Sequence, residues 1–404
     1  MRVPGFKFAG VSCGIKRSKK RDLALIFSER PAAAAALFTT SRVKAAAVLV
    51  GMKHMQRGLV QAVVINSGNA NSCTGARGIR DADAMCREVG HRLGIDPRLV
   101  IPSSTGLIGV PLPMAKIRQG IAKAVSILSP DSFTHAAEAV LTTDRFVKVA
   151  ATSCLLKGRR VVVAGMVKGA GMIAPNMACP PSRSVGSRRA TMLAYILTDA
   201  AVASRCLSTI LSRSAEGTFN SITVDGDMST NDTALFLANG FARNAPVKAG
   251  SSEERILLRA VQEVMKRLAI KLVEDGEGST KVVEIRVQGA RSVNDARKIA
   301  FAVANSKLVK TAFFGSDPNF GRIMAAIGYA GVSIRPERIN VSFDGVNVVK
   351  GGRGMNTRER QAARVLKRSS FTVKIDLNQG KESASVWTSD LSYEYVRINS
   401  AYRT

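Results

Sequence analysis

Val161-Val162-Val163-Ala164-Gly165-Met166-Val167 runs directly into Lys168-Gly169-Ala170-Gly171-Met172-Ile173-Ala174-Pro175-Asn176, and this stretch decides how the chain is read. The first seven residues are a short apolar run rich in valine, which predicts a strand. The next nine form a Gly-rich loop opened by a lysine, able to cradle an anion on its backbone N–H groups. It is not a P-loop, because it contains no Gly-Lys-Ser/Thr. A tight turn carrying a surface lysine is the plain alternative.

Working outward, strands and helices alternate. Gly58–Ile65 predicts a strand, and Ile79–Leu93 a helix with Ile79, Met85, Cys86, Val89 and Leu93 at near-helical spacing. Val100–Ile101 reads as a strand end entering a Ser103-Ser104-Thr105-Gly106 loop, before a helix marked by Met114, Ile117, Ile121 and Val125. In the second half, Val202, Cys206, Leu207, Ile210 and Leu211 share a helical face. Ser251-x-x-Glu254 is a capping box opening a helix through Leu268. Val283, Ile285 and Val287 alternate as a strand, and Ala296, Ile299, Ala300 and Val303 form a helical stripe. Ile339–Val348 reads as a hairpin turning at Asp344-Gly345, and Phe371–Leu377 as one more strand. The fold class expected is mixed α/β, sheets layered with helices.

Composition narrows the function. The chain has 404 residues, 46% of them hydrophobic, enough for a sizeable core in two or three domains. The longest apolar runs, Ala45–Met52 and Val161–Val167, are strand-sized, far short of the ~18–20 residues that cross a bilayer. Met1–Phe6 lacks the apolar core of a secretory signal, so a soluble, cytoplasmic protein is expected. Lys plus Arg is 59 against 30 acidic residues, a net charge of +29. Nucleic acid is one partner that such a charge suggests. The basic residues are spread, however, with one dense run at Lys16–Arg21, and aromatics are only 5%, poor for base stacking. Anionic substrates explain the charge as well. Cysteines 13, 73, 86, 154, 179 and 206 and histidines 54, 91 and 135 form no paired motif, so buried free thiols and no metal site are expected.

Further constellations stand beside the Lys168 loop. Asn66-Ser67-Gly68-Asn69-Ala70-Asn71 suits a polar binding loop or an Asx-rich turn. Backbone N–H groups at Thr105-Gly106 suit an oxyanion hole, or a plain strand-to-helix connection. Asp275-Gly276-Glu277-Gly278-Ser279-Thr280-Lys281 holds a carboxylate between glycines, on exposed backbone that can meet an ammonium group. Asp317–Arg322 is a rigid turn whose Arg322 can grip a carboxylate with both arms of its fork.

Taken in order, these pieces resemble the ornithine acetyltransferase family, the bifunctional glutamate N-acetyltransferases and amino-acid acetyltransferases of arginine biosynthesis. The resemblance is nearly full length. It runs through Gly5-Phe6, the Asn66 loop, Ser104-Thr105-Gly106, Thr142-Thr143-Asp144, the Lys168 loop and Ala190-Thr191-Met192-Leu193. It continues through Ser221–Thr233, Asp275–Lys281, Asp317–Arg322 and Asn399–Thr404.

The resemblance implies a self-processing enzyme of the N-terminal-threonine-nucleophile type, cut at Ala190-Thr191. The pieces would be an α chain, 1–190, and a β chain, 191–404, assembled as an α2β2 heterotetramer. It further implies Thr191 as nucleophile, Thr105 and Gly106 as oxyanion hole, and Thr142 or Thr143, Lys168, Thr191, Glu277, Asn399 and Thr404 as substrate-binding residues. The implied reaction moves acetyl from N-acetylornithine to glutamate by a ping-pong route without a cofactor, and acetyl-CoA is admitted as a second donor. No membrane partner is expected, and nucleic acid is disfavoured as a partner despite the +29 charge. Cys179–Arg189 departs from the family pattern as an eleven-residue, Pro/Ser/Arg-rich insertion before the scissile bond. Two alternatives stand: an N-terminal-nucleophile amidase or aminopeptidase that uses water as acceptor, and an uncleaved basic binding protein.

Overall fold

A computed structural model describes residues 1–178 and 192–401. Ala190, Thr191, Thr404 and the 179–189 insertion lie outside the described residues. The chain divides into two units, and their limits do not coincide with the 190/191 boundary. One comprises Met1–Asn220 and Asp227–Leu272; the other comprises Ser221–Gly226 and Val273–Arg403.

In the first unit a mixed sheet runs in the order 100–107, 59–69, 23–39, 233–238, 193–198, 159–168, 148–156, with Phe6–Val11 and Met177–Ala178 also paired to the 23–39 strand. Its core lies on both faces. Val63 and Val64, successive residues of one strand, belong to different apolar clusters. Val63 packs with Ile26, Tyr195 and Leu235, and Val64 with Leu25, Val89, Ile117 and Ile121. The expected helices form as Gly75–Leu93, Met114–Ser126, Ser204–Glu216 and Ser252–Glu274. Ser251 accepts from the Glu254 N–H at 3.1 Å, but the Glu254 carboxylate reaches the Gly250 N–H, so the capping box is shifted by one residue.

Some readings change here. The strand-sized apolar run Ala45–Met52 falls in the helix Ala46–His54. The residues 66–69 and 103–106 are not loops: they are the ends of the strands Leu59–Asn69 and Val100–Leu107. Several strands, among them Leu23–Thr39 and Thr233–Ala238, have no counterpart in the sequence reading, because burial on both faces removes the alternation that marks a strand.

The second unit's sheet runs 353–354, 346–350, 340–343, 370–376, 282–290, 382–389, 222–223. Its core is on one side, where Val283, Ile285 and Val287 meet the helices Val293–Asn305 and Lys307–Gly315. Arg286 and Lys374 sit on the open face. The hairpin turns where expected: Asp344 and Gly345 take φ of 44° and 85°, the left-handed pair of a two-residue turn.

The fold class is therefore mixed α/β with helix-covered sheets, as expected. Among the described residues no helix is long and apolar enough to cross a membrane. The described cysteines are free thiols; Cys73 is exposed rather than buried.

Candidate active site

The first unit builds its polar centre from two parallel strand ends. Asn66 faces Ser104, Ser67 faces Thr105 and Gly68 faces Gly106. Strand ends leave backbone groups unpaired, and buried amides and hydroxyls satisfy one another there. The Ser104 hydroxyl donates to Asn66 Oδ1 at 2.7 Å, and Asn66 Nδ2 donates to the Asn69 carbonyl at 2.8 Å. Asn66, Ser67, Ser104 and Thr105 are all buried. Glycine is required at 106: its φ is +129°, and a Cβ there would lie 2.4 Å from the Gly68 carbonyl carbon.

Lys168, the last residue of the 159–168 strand, is buried, and its ammonium donates to Thr105 Oγ1 at 3.1 Å. Two expected site residues, 63 positions apart, thus meet. A Thr105 hydroxyl that accepts from Lys168 keeps its own proton to donate to a third group.

The Gly-rich loop has an occupant other than the one expected. Its Gly169 N–H donates at 2.7 Å to Asp144, a carboxylate of the protein itself. The Asp144 side chain is wholly buried and also takes Lys148 Nζ at 2.6 Å and the Thr142 N–H at 2.8 Å. Burial alone would push its pKa up, but the Lys148 and Lys168 ammonium groups outweigh burial and hold it well below the usual carboxylate range. Thr142 is committed to Asp144 by backbone and hydroxyl, whereas the Thr143 hydroxyl has no hydrogen-bond partner among the described residues.

Lys16 is the residue that pattern-reading places wrongly. Its run has the look of a nucleic-acid patch. Instead Asp22 accepts the N–H groups of Cys13, Ile15 and Lys16, turning Lys16 inward so that its stem lies against Gly68, while Lys19 and Lys20 stay exposed. Desolvation lowers the Lys16 pKa to about 8, with Asp22 and Asp144 opposing and Lys168 adding to the shift. No periodicity announces such a role; a lone aspartate after six residues of mostly basic chain is the only trace.

The second unit carries the other cluster. Glu277 is 8% exposed, not on open backbone as expected, and Asp275 is fully buried. Asn399 Nδ2 donates to Glu277 Oε2 at 2.9 Å, joining two expected residues 122 positions apart. Asp390 holds the loop's shape by accepting the Thr280 and Lys281 N–H groups at 2.8 and 3.0 Å. The Ser392 hydroxyl donates to the Gly278 carbonyl at 2.6 Å. Arg322 does not stand ready for a carboxylate: its guanidinium donates to the Leu308 carbonyl at 2.8 Å and to Thr311. Among the described residues no cluster of His, Cys, Asp and Glu could hold a metal ion.

The ArgJ family pattern matches residues 7–404. The chain belongs to the ArgJ family. It is 48% identical to the arginine biosynthesis bifunctional protein ArgJ of Geobacter sulfurreducens over 405 residues, all of both chains. Against the protein of the same name from Caldanaerobacter subterraneus the identity is 45% over 404 residues, 99% of this chain and 97% of that one. A crystal structure of ArgJ from Bacillus halodurans matches with a TM-score of 0.50 and 35% identity, covering 52% of this chain and 98% of that one. Family membership makes this chain an acetyltransferase of arginine biosynthesis, and neither the amidase nor the uncleaved binding protein is favoured.

Proposed function

We propose that the chain cuts itself between Ala190 and Thr191 and then moves acetyl from N-acetylornithine to glutamate on the freed Thr191. A threonine hydroxyl is a weak nucleophile until a base takes its proton. The new α-amine of Thr191, with an ordinary pKa of about 8, is a base on the same residue. The hydroxyl attacks the acetyl carbonyl, the Thr105 hydroxyl and the Gly106 N–H take the developing oxyanion, and ornithine leaves with the proton. The amine of glutamate then attacks the acetyl ester, giving N-acetylglutamate and restoring Thr191. No cofactor takes part, and acetyl-CoA fits the same route as a donor because its thioester presents the same acetyl carbonyl.

The observation that carries this reading is the Lys168–Thr105 hydrogen bond, which leaves the Thr105 proton for an oxyanion in a buried, weakly screened place. Lys168 and Glu277 bring opposite charges, suited to the carboxylate and ammonium groups of the two amino acids. Asn399, Thr404 and Thr143 complete the substrate contacts, Thr143 being preferred to Thr142 because its hydroxyl is uncommitted. The pieces 1–190 and 191–404 stay joined after the cut, because the strand 193–198 is hydrogen-bonded to 159–168 and the strand 233–238 to 23–39. We propose an α2β2 assembly in the cytoplasm, with small molecules as substrates. Replacing Thr191 by alanine should abolish both the cut and acetyl transfer. Turnover unchanged in Thr191→Ala sinks the reading.

A further inference from the structure

Ser229–Thr233 reaches the first unit's polar centre at Ser104, yet neither the implied site residues nor the chemistry above uses it. Asn231 and Asp232 are buried, 3% and 0% exposed. Asn231 Nδ2 donates to the Ser104 carbonyl at 2.7 Å and to the Ala70 carbonyl at 2.7 Å. It thereby ties the strand that carries Thr105 and Gly106 to the end of its neighbour. Asp232 Oδ1 accepts the N–H of Met192, the residue directly after Thr191 in the chain. The next residue, Thr233, donates its N–H to the Met192 carbonyl at 2.9 Å, so both polar groups of Met192 are held from one dipeptide. On its other side the Asp232 carbonyl takes the Thr39 N–H, and Thr39 in turn donates to the Ser229 carbonyl, anchoring the dipeptide to the 23–39 strand.

Two adjacent side chains therefore fix two things that the reaction needs in register. We propose that Asn231 and Asp232 are positioning residues: Asn231 sets the oxyanion strand, and Asp232 sets the start of the nucleophile-bearing chain. The inference rests on Thr191 as nucleophile and Thr105-Gly106 as oxyanion hole. Its physical basis is that a reacting group misplaced by about 1 Å can cost on the order of 100-fold in rate. Binding of substrate depends on other groups, so the loss falls on kcat.

The test compares purified full-length Asn231→Ala with Asn244→Ala. Asn244 is also buried in the first unit and also pins a backbone, by hydrogen bonds with the N–H and carbonyl of Ala201, but it holds neither Ser104 nor Met192. Asn231→Ala should lower kcat for acetyl transfer roughly 10- to 100-fold, with KM for N-acetylornithine within about 2-fold. Asn244→Ala, at a comparable loss of thermal midpoint, should keep kcat within about 2-fold. Asp232→Ala should lower kcat similarly, and Asp232→Asn, which retains an oxygen to accept the Met192 N–H, should recover most of it. The Asp232 pair decides the matter if Asn231→Ala does not fold. Equal kcat deficits in Asn231→Ala and Asn244→Ala, or no recovery in Asp232→Asn, overturn the clamp. A wild-type protein that is uncut, or never acetylated on Thr191, overturns the underlying reading instead.

Discussion

The two units bury charge in different ways. In the first, Asp144 is surrounded by cations and donors: Lys148 and Gly169 bond one oxygen, Thr142 the other, and Lys168 lies close enough to lower its pKa. In the second, the buried Lys310 has hydroxyls and a carbonyl as its hydrogen-bond partners, Thr388 and Ser389, and its nearest carboxylates act only at a distance. The sheets differ in the same sense. The first is covered on both faces, while the second shows Arg286 and Lys374 to solvent. A doubly covered sheet can hold a fixed ion cluster dry, which is what a reaction with a developing oxyanion requires. The second unit's loop 275–281 is itself mostly buried, with Thr280 its one exposed residue.

This contrast is sharpened most by Lys168→Ala. It leaves Asp144 with one ammonium fewer and Thr105 without its donor, and kcat/KM should fall on the order of 100- to 1000-fold, as for loss of an oxyanion-hole group. A loss under about 10-fold, measured with folded protein, breaks the assignment of Lys168 to the reaction. Next is packing. Leu235→Ala, in the doubly covered sheet, should cost about 3 kcal/mol by denaturant unfolding, against no more than about 0.5 kcal/mol for Lys374→Ala on the open face.

Titration gives a third way to separate the units. Asp144 has a lowered pKa, so its contribution is complete above the unfolded value of about 4 and is lost as pH falls below it. Lys310 shifts in the same direction but in a different window. Burial lowers its pKa to about 8, against the pull of Asp390 and Asp225. Between pH 8 and the unfolded value of about 10.4 the unfolded chain binds more protons, so stability rises with pH in that window. Wild type should gain on Lys310→Met from pH 8 to 10 and lose its advantage over Asp144→Asn below pH 4. Parallel pH profiles in either comparison contradict the scheme. The smallest effect belongs to Glu277. Glu277→Gln should slow the N-acetylornithine half-reaction about 10-fold and charge reversal to Lys more, while unchanged deacetylation kinetics remove Glu277 from the site.

The same contrast governs how much of the molecule is legible in its sequence. The strands 282–290 and 370–376 show because Val283, Ile285 and Val287, and Phe371, Val373 and Ile375, alternate with solvent-facing residues. Leu193–Thr198 and Thr233–Ala238 are buried at every position and carry no period to read. Among site residues, Thr105, Lys168, Glu277 and Asn399 come from the family resemblance, and the structure brings them together pairwise. Asp144 as the occupant of the Gly-rich loop and the reach of Asn231 to Ser104 depend on contacts 25 and 127 positions apart, which no local spacing encodes, while the inward turn of Lys16 rests on Asp22 six residues on, a contact without any periodic signal.

Chain-end chemistry is where the whole scheme is most exposed, and intact mass spectrometry of the purified wild-type protein reads it in one run. Two fragments, 1–190 and 191–404, should be found, and brief exposure to N-acetylornithine without glutamate should add a single acetyl group to the second fragment. One unbroken chain, or an acetyl group located anywhere other than Thr191, would contradict it.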